Sequence, residues 1–265
     1  MASRRRFLVF SIDTGYAYPT KINRREAEMA KVNEDWRVLR HGPIERLEPN
    51  LWSVTGTLPG MSLKRVMTLI RLGDGRIVIH SAVALDEPAM GEIEAWGQPA
   101  VLLVPNAYHR LDAPAYLARY PQLQVFCPRG SRSKVEDVIK VDGDYDDVEG
   151  DGSMTIEHLD GVGKGEGVIT VRSESGSTLV FNDAVFNMPH GRGVPGFIFR
   201  HITGSTGGPR VTRLFRMLGV KDKPALRAHL ERLAEIPDLK RIVVSHHIAI
   251  TDQPAEVLRR VAATV

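Results

Sequence analysis

From about residue 44 to the C-terminus, the chain alternates between two apolar spacings. Short runs of alternating or continuous apolar residues predict strands over 51–55 (Leu51-Trp52-Ser53-Val54-Thr55), 65–72 and 76–80. Gly73-Asp74-Gly75 separates the last two and predicts a hairpin. Residues 86–96 read as a helix with Asp86 as its N-cap and Gly97 at its end. The run Ala100-Val101-Leu102-Leu103-Val104 is continuously apolar, as a strand covered on both faces requires. A helix over 113–119 and a strand over 124–127 follow, and this alternation predicts an α/β layer. The second half opens with a hairpin, 167–172 and 177–181, around Ser173-Glu174-Ser175-Gly176. Helices over 211–218 and 223–235, a strand over 241–245 ending at His246-His247, and a closing helix over 255–263 complete it.

Three segments depart from this pattern. Residues 1–45 read as an N-terminal extension, with a short strand over 7–12 and a charged helix over 23–39 capped by Asn23; residues 46–265 read as one domain. Residues 143–167 are acidic and glycine-rich and read as a solvated loop, since they lack the ligand alternation and terminal glutamate of a calcium loop. Residues 190–208 are glycine-rich and read as a surface excursion or a lid over a site.

Composition narrows the classes. With 43% apolar and 25% charged residues the chain has the make-up of a globular protein. Its 35 basic and 32 acidic side chains are interspersed, and the net charge is +3, so the sequence pI of about 9.0 is no nucleic-acid footprint and no nucleic-acid partner is expected. The single cysteine, Cys127, excludes an intrachain disulfide framework and a cysteine-rich zinc module; between a β-like run and Pro128 it reads as a buried, inert thiol. The apolar stretch after Arg4-Arg5-Arg6 ends at Asp13, too soon for a secretory signal, and no run approaches the roughly 18 residues of a membrane span. No membrane partner is expected, and the expected location is cytoplasmic.

Chemistry in open α/β sheets gathers at strand ends. His80, Asn106 with His109, Asp183, and His246 with His247 all stand at such ends. Imidazoles and carboxylates are ligands that zinc, iron and manganese favour, although no His-x-His or His-Glu-x-x-His spacing is present. His80 reads as structural, one at most of His246 and His247 points inward, and His41, His190, His201 and His229 read as surface or loop residues.

The segments Ile79-His80-Ser81-Ala82-Val83-Ala84-Leu85-Asp86 and Val104-Pro105-Asn106-Ala107-Tyr108-His109, with Tyr116-Leu117-Ala118-Arg119-Tyr120-Pro121 and Leu179 to Asn187, resemble an uncharacterised branch of the metallo-β-lactamase-like superfamily. The resemblance covers roughly 200 residues and implies an αββα sandwich preceded by the N-terminal extension. In active members of the superfamily His-x-His-x-Asp-His follows the strand that here ends at Val104. Asn106, Tyr108, Arg110 and Leu111 stand at those four positions, so the resemblance implies a reduced or degenerate metal motif with His109 one residue out of register. It also places Asp183 at the metal-bridging aspartate, His246 or His247 at the last histidine ligand, His158 loosely near a middle ligand, and His80 where an aspartate is customary.

The functional expectation is a metal-dependent hydrolase-like protein acting on an unknown small-molecule substrate. Asp183 and His109 are its catalytic candidates. His109, Asp183, His246 and His247 are the candidate ligands of one divalent metal (zinc, iron or manganese). The alternative is a non-catalytic, metal-free descendant that binds a ligand or protein, with residues 1–45 covering the cleft or joining two copies into a homo-oligomer. A metal-free acid–base pair of Asp183 and a histidine is a third option; covalent catalysis is disfavoured, because the chain has no Gly-x-Ser-x-Gly elbow.

Overall fold

The structure, a computed structural model, describes residues 32–61 and 63–265. The strand expected over 7–12 and most of the helix expected over 23–39 lie outside these residues. Within them, 32–39 is not helical. Its apolar content serves tertiary packing instead: Trp36 packs on Tyr116 at 4.9 Å between ring centroids, and its indole Nε1 donates to Leu85 O at 2.9 Å.

The elements in order are β1 (His41–Glu48), β2 (Leu51–Thr57), β3 (Lys64–Arg71), β4 (Arg76–His80), α1 (Glu87–Trp96), β5 (Gln98–Leu103), α2 (Ala113–Arg119), β6 (Gln124–Cys127), α3 (Arg132–Glu136), β7 (Gly143–Asp144), β8 (Met154–His158), β9 (Gly167–Ser173), β10 (Gly176–Phe181), β11 (Phe186–Met188), α4 (Gly193–Phe197), β12 (Gly208–Arg210), α5 (Arg213–Leu218), α6 (Lys223–Leu233), β13 (Leu239–Val244) and α7 (Pro254–Ala262). A seven-stranded sheet runs β1-β2-β3-β4-β5-β6-β7, and a four-stranded sheet runs β13-β10-β9-β8. β11 and β12 form a separate ribbon.

Alternation along each strand builds the layers. In β3, Val66 and Ile70 face the space between the sheets, while Met67 and Leu69 face the helices. β5 divides the same way, with Val101 and Leu103 inside and Leu102 outside. In β10, Val180 meets the first sheet, and Leu179 and Phe181 meet α6 and α7 through Leu226, Leu230, Val257 and Leu258. Burying such side chains contributes roughly 1.5–3 kcal/mol each. The result is the expected αββα sandwich.

Local signals hold where they are strongest. Asp86 caps α1 by accepting from Ala89 N at 3.0 Å. The β3–β4 hairpin turns at Gly75, whose φ of 88° favours glycine. The stretch 143–167 is not one solvated loop, since it holds β7 and β8, the edge strands of the two sheets. Residues 190–208 likewise contain α4 and a π-helical turn, Ile198–Ile202. His229, read as a surface residue, lies on α6 and is buried, with Nδ1 2.9 Å from Asp160 Oδ2. Among the described residues no helix is long and apolar enough to cross a membrane.

Topology positions the site. β4, β5, β6 and β7 are parallel, as are β10 and β13. Ser81, Asn106 and His109 follow the ends of β4 and β5, while Asp183 and His246 follow the ends of β10 and β13. These ends meet along one edge of the sandwich.

Candidate metal centre

Asn106 organises the loop after β5. Its Oδ1 accepts from Tyr108 N at 2.8 Å and His109 N at 3.2 Å, an Asx-type turn that carries His109 into the cleft. Its Nδ2 donates to Asp183 Oδ2 at 2.7 Å and Glu166 Oε1 at 3.1 Å. One buried amide thus ties together the two carboxyl groups.

His109 and His246 converge on one oxygen. His109 Nε2 lies 3.4 Å and His246 Nε2 3.0 Å from Asp183 Oδ1, with ring centroids 5.0 Å apart. The opposite nitrogens are committed elsewhere. His246 Nδ1 donates to Lys64 O at 2.7 Å, and His109 Nδ1 meets Ser81 Oγ at 2.8 Å. Phe186 packs against the His246 ring at 4.8 Å. Ser81 adopts φ 59°, unusual for a side-chain-bearing residue, and is 2% exposed. Its hydroxyl is therefore placed to orient His109 rather than to attack a substrate.

Glu166 supports this arrangement from below. Its Oε1 accepts from Asn106 Nδ2, Asn182 Nδ2 and Asp183 N, and its Oε2 from Ala184 N at 2.9 Å. Burial, and then the Asp183 charge, push its carboxyl well above the usual carboxylate range against the pull of these donors. Burial alone would also raise Asp183, but the His109 and His246 imidazoles outweigh it and hold the carboxyl well below its ordinary value. Burial lowers His109, with Asp183 opposing. Burial also brings His80 down to about 3, so that this ring is neutral across the working pH range.

The three strand-end residues His109, Asp183 and His246 come together with ligand atoms within 4.8 Å of one another. His247 is not in that group; it takes φ 70°, with Nε2 buried and without a hydrogen-bond partner. His80 is buried behind the site with Nδ1 unpartnered, and His158 lies in a separate cluster with Asp144 and Asp146. Cys127 is fully buried, and burial pushes its thiol up to about 12, as expected of an inert cysteine. Two residues of the site carried no sequence signal. Glu166 is an isolated acid in a glycine-rich turn, and Ser81 is an unremarked neighbour of His80.

The donor set fits a divalent ion. Tetrahedral zinc, with bonds of about 2.0–2.1 Å, spaces its ligand atoms about 3.3 Å apart, and the two nitrogen–oxygen separations here are 3.0 and 3.4 Å. The outer contacts, imidazole to carbonyl and amide to carboxylate, are those that fix ligand orientation around metals.

Comparison with solved structures agrees with the architecture. A metallo-β-lactamase from Hirschia baltica is 14% identical, with a TM-score of 0.54 over 84% of this chain and 97% of that one. The DIM-1 metallo-β-lactamase, in a structure exposed to ceftazidime, is 11% identical, with a TM-score of 0.56 over 86% and 98%. No protein-family model and no curated protein matches the sequence. The class these observations define is the metallo-β-lactamase fold. This chain is an αββα sandwich of that class, with His109, Asp183 and His246 gathered at its sheet edge.

Proposed function

We propose that this protein is a metal-dependent, hydrolase-like protein that holds one divalent ion between His109, Asp183 and His246. One observation carries the reading. His246 Nδ1 donates to Lys64 O, a contact that turns Nε2 toward Asp183 Oδ1 at 3.0 Å, beside His109 Nε2 at 3.4 Å from the same oxygen. The two Nε2 atoms and Asp183 Oδ1 stand at nitrogen–oxygen separations close to those a tetrahedral divalent ion sets between its ligand atoms. An ion there would provide Lewis acidity, polarising a carbonyl or phosphoryl oxygen and making water acidic enough to attack near neutral pH.

The chain's own residues do the rest. Ser81 Oγ and Lys64 O hold the Nδ1 sides of the two imidazoles, so that both Nε2 atoms face inward. Asn106 holds Asp183 Oδ2, leaving Oδ1 to the ion. With the reduced ligand set of a degenerate motif, three protein ligands leave open positions for water and substrate. The substrate class spans esters, lactones, amides and phosphoesters.

The test is metal content and turnover together. Protein equilibrated with zinc, iron(II) or manganese(II) is assayed on those four substrate classes beside Asp183→Asn and His246→Ala. One equivalent of metal, and any hydrolysis, should be lost in both variants, and chelation should abolish turnover in the parent. Equal metal content in parent and variants overturns the proposed centre. Metal loss without turnover on any substrate keeps the centre but overturns the hydrolase assignment, and a parent that takes up no metal leaves the metal-free binding alternative.

A further inference from the structure

We propose that Asp144, Asp146 and His158 form a second divalent-cation site, separate from the first and joining the edges of the two sheets. Asp144 ends β7, Asp146 lies in the short 3-10 turn Tyr145–Asp147 that follows, and His158 ends β8. One ligand atom from each lies within 4.8 Å of the other two.

The carboxylates are already divided into two sides. On the outer side, Asp144 Oδ2 accepts from Arg129 Nε at 2.6 Å and Asp146 Oδ2 from Arg129 Nη2 at 2.9 Å, with Lys164 Nζ 3.7 Å from the same Asp146 oxygen. On the inner side, Asp146 Oδ1 and Asp144 Oδ1 lie 3.6 and 3.9 Å from His158 Nε2. Asp144 Oδ1 also accepts from Asp146 N at 2.8 Å, which fixes its direction and leaves a lone pair. The cations therefore hold the acids in place from behind while two oxygens face the imidazole.

His158 is the observation that points to a ligand. Its side chain is 8% exposed, and neither ring nitrogen has a hydrogen-bond partner. Buried imidazoles are normally bonded on at least one nitrogen. Tyr145 stacks on the ring at 5.8 Å, which fixes its plane. One imidazole nitrogen with two carboxylate oxygens is a set for zinc or manganese rather than calcium, which takes oxygen ligands throughout. Asp146 is half-exposed and gives the ion its route in.

The site would also brace the turn that carries Glu166. Gly130 N donates to Lys164 O and Ser131 Oγ to Gly165 O, so the segment after His158 already leans on the segment around Arg129. A cation tying His158 to the Asp144–Asp146 turn closes the same contact from its other side.

The experiment counts zinc bound to the full-length protein by equilibrium dialysis and elemental analysis. The variants are Asp183→Asn, Asp146→Asn, His158→Gln and the double variant Asp183→Asn with Asp146→Asn. The proposal expects two equivalents in the parent, one in Asp183→Asn, one in Asp146→Asn and His158→Gln, and none in the double variant. Cobalt(II) bound to Asp183→Asn should give visible ligand-field absorption that is lost when His158→Gln is added. Because Asp146 is half-exposed, Asp146→Asn should keep the parent circular dichroism and so report on binding alone. A single equivalent retained by Asp146→Asn and lost in Asp183→Asn overturns the second site while leaving the first. A single equivalent with the opposite pattern supports the second site and overturns the first.

Discussion

Asn106 offers the sharpest test of how the first centre is built. Replacing it with leucine keeps the branched shape and the number of side-chain heavy atoms but removes two donor contacts to carboxyl groups and two acceptor contacts to Tyr108 N and His109 N. The bond to the Asp183 carboxylate contributes about 1.5–3 kcal/mol, and the bond to Glu166, whose carboxyl burial holds toward its neutral form, about 0.5–1.5 kcal/mol. Asp183 is partly exposed, with a side chain 18% accessible, so water recovers some of its loss. The expected destabilisation is therefore about 3–4 kcal/mol, or roughly 6–15 °C in Tm for a chain of this size. Asn106→Asp is the informative companion. It preserves the acceptor for the two backbone N–H groups but sets a third carboxyl against Asp183 Oδ2 and Glu166 Oε1. Burial beside two carboxyl groups raises the folded pKa of the introduced group above its unfolded value of about 3.9. Its share of stability is then fully present only below that value and is lost as pH rises through the folded pKa. Urea denaturation of metal-free protein from pH 4 to 8 should show an Asn106→Asp deficit that is small at pH 4 and grows toward pH 8. An Asn106→Leu variant within about 1 kcal/mol of the parent, or an Asn106→Asp profile parallel to the parent, would refute the bridging role.

Two further outcomes follow from the burial of single groups. His80 has a folded pKa of about 3 against the ordinary 6.5, so its contribution is present above pH 6.5 and drains away as pH falls toward 3. His80→Leu should match the parent to about 1 kcal/mol at pH 7 and exceed it by about 3 kcal/mol at pH 4; denaturation curves with the same pH slope would contradict this. Cys127, fully buried with its thiol pushed up to about 12, should resist a thiol-exchange reagent until denaturant unfolds the chain. Labelling at the rate of a free thiol in the native protein would show that this part of the core opens.

The sequence was most legible where local chemistry and burial agree. The helix 113–119 and the strand 124–127 fall on their expected residues because proline, tyrosine and continuous apolar positions leave few alternatives. Strands β7 and β8 were obscured because edge strands need apolar residues on one face only. β7 is two residues long, and β8 alternates Met154, Ile156 and His158 with Thr155 and Glu157 inside an acidic, glycine-rich stretch. Strand-end logic singled out His109, Asp183, His246 and His247, of which the structure gathers the ligand atoms of the first three within 4.8 Å. It passed over Glu166, whose role comes from contacts to Asn106 and Asn182, 60 and 16 positions away. Chain spacing carries no trace of such contacts. His229 was misread for the same reason, since its partner Asp160 lies 69 positions distant.

The three-residue centre lies across the seam between the two sheets. His109 rides on the seven-stranded sheet and Asp183 on the four-stranded one, while His246 follows β13 but is latched to the backbone of β3 at Lys64. Beside it, Val66 N bonds to Ser245 O across the same seam at 2.9 Å. Sliding one sheet along the other by an ångström would pull the 3.0 and 3.4 Å contacts apart without unfolding either layer. The centre thus works as an alignment gauge. Neither half of the sandwich contains it, and loss of the metal binding proposed for it, on mild heating or in denaturant, should register shear between the layers before the spectroscopic signature of either sheet changes.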